Sequence, residues 1–189
     1  MTLFRTVDPL VEPVTLAEVK AHLRLEQVSE DVLIEGLIRA AREEVEKTTG
    51  QALIDQSWRL TLDDWPPGEV LYLHRTPVRE VLSVTVFDAD GAASIVDPST
   101  YRLDAHSEPA RLALKARPLP GQRLNGIEID FRAGYGEAGT DVPDLLRRAI
   151  LILVTYWFEF RAAFDAGDQP VSLPSGFQRL VNGYRKPRL

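Results

Sequence analysis

The run from Asp141 to Arg161, DVPDLLRRAILILVTYWFEFR, spaces its apolar residues for a helix. Asp141 is suited to accept hydrogen bonds from a first helical turn, and Pro143 fits there because its missing N–H has no partner to lose. Leu145, Leu146, Ala149, Ile150, Leu153, Val154, Trp157 and Phe158 recur on one face. The other face, Leu151, Ile152, Thr155 and Tyr156, is also uncharged, and no charge falls between Arg148 and Glu159. Such a helix is expected to be covered on nearly every side. Leu153, Val154, Trp157 and Phe158 are therefore its candidate core or subunit-contact residues. The uncharged run is about half of the roughly 20 residues a bilayer span needs, so a membrane helix is not expected.

Working outward, 189 residues suffice for one domain with a good core. The formal charge of −6 argues against a general nucleic-acid coat. The absence of cysteine removes disulfide and thiolate chemistry and fits the cytoplasm. The first fourteen residues, MTLFRTVDPLVEPV, hold no apolar core of signal-peptide length and little periodicity, so an irregular lead-in is expected. Charge gathers at the other end. From Arg161 onward, five basic residues (Arg161, Arg179, Arg185, Lys186, Arg188) face two acidic ones (Asp165, Asp168), a local balance of +3.

Thr15-Leu-Ala-Glu18 has the form of a capping box, which predicts a short helix over about Leu16–Leu23. Ser29 is placed to cap a longer second helix. Leu33, Ile34, Leu37, Ile38, Ala41 and Val45 form its buried stripe, Arg39, Arg42, Glu43, Glu46 and Lys47 its outer face, and Gly50 its end. From Ala52 to Tyr135 the period changes to two. Strands are expected at 53–62, 70–73, 81–87, 93–96, 101–103, 111–114 and 127–131, with a primed turn at Asp90-Gly91. Ile127, Ile129 and Phe131 alternate with Glu128 and Asp130, the mark of a strand with one wet face. A short helix is expected from about Ser175.

The implied architecture is α+β: a helical core of two N-terminal helices and the central 141–161 helix, with an inserted small antiparallel sheet or sandwich. One domain over residues 1–163, with its β-rich insertion at about 52–135, then precedes a C-terminal arm at 164–189.

Catalytic chemistry finds no support. His22, His74 and His106 belong to no metal-ligand motif, so no metal is expected, and ordinary surface or partly buried roles suit them. Glu26, Glu30, Asp31 and Glu35 gather where a helix N-terminus favours negative charge; capping explains them, with an acidic contact patch as the alternative. Asp63 and Asp64 precede a Trp-Pro-Pro-Gly turn, and neighbours on a strand face opposite sides. Arg132-Ala-Gly-Tyr-Gly-Glu-Ala-Gly139 lacks the residues of a phosphate loop. No cofactor is expected. The C-terminal segment differs, because Phe177, Leu180, Val181, Tyr184 and Leu189 interleave with Arg179, Arg185, Lys186 and Arg188. Either a short helix packs back with a frayed basic end, or an arm orders on another protein through aromatic and cationic anchors.

Several of these pieces, in this order, carry a resemblance. Pro13-Val-Thr-Leu-Ala-Glu-Val-Lys-Ala-His-Leu-Arg-Leu25, Leu-Ile-x-x-Leu-Ile-x-Ala-Ala-Arg (33–42), Glu-x-x-Thr-Gly50 and Gln56-x-Trp58 resemble the opening of tailed-phage head–tail connector (adaptor) proteins. Phe131-x-Ala-Gly-Tyr135, Val142-Pro143, the helix at 149–159 and the final Tyr184-Arg185 continue the likeness. The strand-rich middle departs from the compact all-helical connectors.

The resemblance implies a structural role without catalysis. Such a chain forms a ring, commonly of twelve copies, beneath the portal at the head–tail junction of a phage or gene transfer agent, assembled in the bacterial cytoplasm. It implies the portal protein, a tail-side stopper or tail-terminator protein and further copies of itself as partners. DNA passes through the lumen without sequence-specific binding. It also nominates Phe177, Leu180, Tyr184, Arg185, Lys186, Arg188 and Leu189 for portal binding. The competing readings are a small cytoplasmic hydrolase using a carboxylate pair in the sheet region, and a monomeric peptide-binding module using an exposed sheet edge.

Overall fold

In the computed structural model, which describes residues 1–163 and 173–185, the chain divides into two compact units. One comprises Met1–Leu10 with Asp55–Tyr135, the other Val11–Ile54 with Gly136–Leu189.

The first unit is built of antiparallel strands. β1 (Thr2–Val7), β2 (Gln56–Leu62), β4 (Val78–Phe87), β5 (Ala93–Ile95) and β8 (Ile127–Ala133) form a five-stranded sheet in the order β1-β2-β8-β4-β5. β3 (Val70–Leu73), β6 (Tyr101–Asp104) and β7 (Ala110–Leu114) form a second sheet in the order β3-β7-β6. The expected strands are all present, each within a few residues of its expected bounds. Two-residue periodicity explains that success: Ile127, Ile129, Phe131 and Ala133 are buried, while Glu128, Asp130 and Arg132 point to the wetter face. Trp58 and Leu60 pair across β8 with Phe131 and Ile129.

Two expectations for this unit are corrected. The lead-in is an ordered edge strand, because β1 pairs with β2 from Thr2↔Thr61 to Val7↔Ser57. Its side chains are largely exposed, so the backbone ladder rather than an apolar stripe holds it, and composition gave no sign of it. The Asp90-Gly91 turn is not of the primed type. Gly91 has φ +83° but Asp90 is not left-handed, the Gly91 N–H donates to the Asp88 carbonyl, and the Asp88 carboxylate accepts from Asp90 and Ala92. This is a turn closed by a left-handed glycine, in which Asp88 does the work that positive φ at Asp90 would have done.

The second unit is helical: α1 (Leu16–Leu23), α2 (Asp31–Thr49), α3 (Asp144–Ala163) and α4 (Ser175–Val181). The capping box is realised in full, with Thr15 Oγ1 accepting from the Glu18 N–H and the Glu18 carboxylate accepting from the Thr15 N–H at 2.7 Å. α2 ends, as expected, on a left-handed Gly50. None of the four described helices is long and apolar enough to cross a membrane.

Other expectations for the helices change. Ser29 does not cap α2; Glu30 occupies that position, its side chain making no hydrogen bond to the first turn, while Lys20 of α1 pairs with Asp31 at 2.6 Å. Asp141 does not cap α3. Its carboxylate closes a short turn by accepting from Ala138, and α3 starts on the Pro143 carbonyl, which accepts from Leu146 and Arg147. The α2 stripe runs through Ile34, Ile38, Ala41 and Val45, but Leu33 is exposed, and Arg42 and Glu46 are buried. α3 is covered less completely than expected. Leu146, Ala149, Ile150, Leu153 and Val154 are fully buried, Leu145 is exposed, and Trp157 and Phe158 are half-buried. An uncharged back face showed which residues tolerate burial, not that a neighbour lies against them.

Candidate functional site

The segment singled out for docking begins inside the helical core. α4 lies against α3 and α2, and Phe177 and Val181 are fully buried. Their spacing of one helical turn turns one stripe of α4 inward. Phe177 is thus an anchor of the unit in this structure, and Leu180 is half-buried. Tyr184 is half-buried in a 3-10 turn over Asn182–Tyr184 that continues α4. Arg185 is exposed and donates to the Gln178 side chain. Lys186, Arg188 and Leu189 lie outside the described residues. On α3, Leu153 and Val154 are core, whereas Trp157 and Phe158 retain surface.

The catalytic alternatives find no constellation. His22, His74 and His106 are exposed, and no metal-holding group of His, Cys, Asp and Glu occurs among the described residues. Asp63 and Asp64 face different backbone donors: the first accepts from the distant Asn125 N–H at 2.8 Å and the second from the adjacent Trp65 N–H at 2.7 Å. Asp104 is held far below the usual carboxylate range by Ser107 and Arg111. It ties the β6–β7 connection together rather than reacting.

The acid-base arrangement that sequence reading missed is structural. Arg42, 4% exposed, pairs with Glu46 at 3.0 Å and with Glu12 at 2.8 Å. The other Glu46 oxygen accepts from the Leu53 N–H at 2.9 Å, fixing the chain just beyond α2. Burial pushes the Glu12 carboxyl up, and Arg42 only partly opposes it. Burial also works against the Arg42 charge, but Glu46 and Glu12 more than restore it, so the guanidinium stays ionised. The cue was Glu46 one helical turn beyond Arg42, a spacing equally common on solvated faces.

A second tie joins α1 to α3. The Arg147 guanidinium donates to Glu18 and to the Pro13 carbonyl. Glu18 is held low, first by the Thr15 N–H and then by its other partners.

On the wetter face of the five-stranded sheet, charges form a partly solvated ladder. Arg59 bridges Asp130 at 2.7 Å and Glu128 at 2.8 Å, while Arg132 pairs with Glu80 and with Asp55. The strand register sets this order, placing Arg59 opposite Asp130 and Ser57 opposite Arg132. Opposite charges paired across strands in this way stabilise the strand register.

Comparison with known proteins supplies what this geometry does not. Residues 13–83 match the family described as Phage gp6-like head-tail connector protein. Over the full length the chain is similar to a chain from the "Neck of empty GTA particle computed with C6 symmetry", with TM-score 0.81 and 29% identity. It is also similar to chains from the "Virion of native gene transfer agent (GTA) particle" (0.83, 28%) and the "Neck of native GTA particle computed with C12 symmetry" (0.79, 29%). Each likeness covers 100% of this chain and 97% of the other. A comparison with curated proteins gave no match. The likeness to the connector family thus covers residues 13–83, while the likeness in fold to chains of gene transfer agent particles runs from end to end, strand-rich middle included.

Proposed function

We infer that this chain is a structural connector at the head–tail junction of a phage or phage-like particle. One observation carries the reading: chains of gene transfer agent particles, two of them from particle necks, share its fold over its whole length at 28–29% identity. The hydrolase and monomeric peptide-binder readings have no comparable support.

In finer detail, the proposal is a ring beneath the portal, commonly of twelve copies, that joins the capsid vertex to a stopper or tail-terminator protein and lines the DNA passage. The chain then works by binding, not catalysis. The net charge of −6 suits a passage that must not retain DNA, because like charge removes the phosphate-binding contribution.

The portal contact is assigned to the end of the chain. With Phe177 engaged in the core, the anchors narrow to Tyr184, Arg185, Lys186, Arg188 and Leu189, and Leu180 borders them. An aromatic residue with several cations is a composition that interfaces favour.

Truncation after Gly183 tests the assignment. Phe177 and Val181 remain, so the melting temperature should stay near the wild-type value, while co-sedimentation with purified portal should be lost. Raising salt should weaken wild-type binding in part, since exposed charges are screened over about 8–10 Å. Normal portal binding by the truncated chain contradicts the docking role.

A further inference from the structure

One loop of the strand unit is held more firmly than a simple connection requires. Pro118–Asn125 lies in the connection from β7 to β8 and is tied down at its two ends and in its middle. The Pro118 carbonyl accepts from Trp65 Nε1 at 2.8 Å. The Gly121 N–H donates to the Phe87 carbonyl at 2.8 Å, and the Asn125 N–H to the Asp63 carboxylate at 2.8 Å. At Gly121 the loop approaches the 88–89 backbone so closely that a Cβ would lie 2.1 Å from the Ala89 nitrogen. On this fixed frame, Leu119 is 86% and Leu124 72% exposed, with Arg123 exposed beside them. Two leucines held out into water on an ordered loop have the form of a knob awaiting a partner.

The helical unit carries a surface of matching chemistry. At the α1–α2 corner Val28 is 74% and Val32 83% exposed, with Leu33 next to them. The Lys20–Asp31 pair fixes the corner. Glu26 and Glu35, both exposed, rim it with negative charge opposite in sign to Arg123.

We propose that the 118–125 loop of one copy seats Leu119 and Leu124 on the Val28–Leu33 corner of the next copy, with Arg123 facing Glu26 and Glu35. This rests on the connector reading. A closed ring of one chain needs two different, mutually complementary patches on every copy, and the loop and the corner provide such a pair. Asp63 accepts from the Asn125 N–H of the loop, whereas Asp64 and Asp88 accept from N–H groups of their own turns, and Arg123 is exposed on the loop.

The test places a photo-crosslinking amino acid at Leu124 in the full chain and irradiates assembled particles. The expected product is a covalent dimer of this chain whose second peptide maps to residues 25–35. A crosslink to the portal or a tail-side protein, or a dimer joined elsewhere, overturns the proposal while leaving the connector reading intact. Chain that never co-purifies with particles overturns the connector reading itself. As a second readout, Leu119→Asp with Leu124→Asp should leave the melting temperature unchanged, because both positions are exposed, yet reduce incorporation into necks at least tenfold. Wild-type incorporation of that variant also overturns the proposal.

Discussion

The two units handle the same ion pair in opposite ways. Arg42 of the helical unit meets Glu46 inside the protein at 3.0 Å and the partly exposed Glu12 at 2.8 Å, and Glu46 also holds the Leu53 N–H. Arg59 of the strand unit meets Asp130 and Glu128 at 2.7 and 2.8 Å on a partly solvated sheet face. The distances barely differ, but water does. Removing one member of a buried pair strands an uncompensated charge, whereas an exposed pair has solvent as a substitute. Short distances therefore say little about which pair the fold depends on.

Arg42→Ala should break the comparison most sharply, with a loss of about 3–5 kcal/mol in denaturant unfolding because Glu46 is left buried without its partner. A loss near that of a surface pair would show that water reaches the cluster. Phe177→Ala should cost a similar amount, about 3–5 kcal/mol, if α4 belongs to the core as its burial indicates. An unchanged midpoint would instead return Phe177 to the docking segment.

Trp157→Ala should cost less, about 1–2 kcal/mol, because the half-buried ring has less apolar surface to lose. A larger cost in assembled particles than in the free chain would mark Trp157 as a subunit contact. On the other side of the comparison, Arg59→Ala should cost at most about 1 kcal/mol.

The smallest effect concerns pH. The Glu18 carboxyl is held below its ordinary value near 4.5, so the stability it contributes is complete above that value and is lost as pH falls through its lowered one. Glu18→Gln should therefore flatten the decline in melting temperature below pH 4.5. An unchanged acid limb would show that the Thr15 and Arg147 contacts do not persist in solution.

The same contrast governs what the sequence disclosed. Strands were legible because alternation at period two declares both faces at once, as in Ile127-Glu-Ile-Asp-Phe131. The Thr15/Glu18 box was legible because its chemistry is local. Arg42 and Glu46 were misread because a helix face is judged by polarity, and a buried ion pair has the polarity of an exposed one. β1 was hidden because its order comes from β2, whose partners stand far along the chain, from Val7↔Ser57 to Thr2↔Thr61. Asp141 was assigned to the wrong structure because a side chain able to cap a helix is equally able to close the turn before it.

The docking candidates divided for a related reason. The sequence showed that the end of the chain mixes aromatic and cationic residues, but only the packing of α4 separated Phe177, which faces inward, from Tyr184 and Arg185. Function itself was legible through the order of several weak pieces, not through a reactive group.

The central claim is that this chain sits at the head–tail junction as a connector. Its most direct test is to purify particles carrying a tag on the N-terminus of this chain, label them, and image the necks by electron microscopy with symmetry analysis. The account predicts label in a single ring between the head and the tail. Particles that are complete and joined without this chain, or label distributed over the head shell or along the tail, would contradict it.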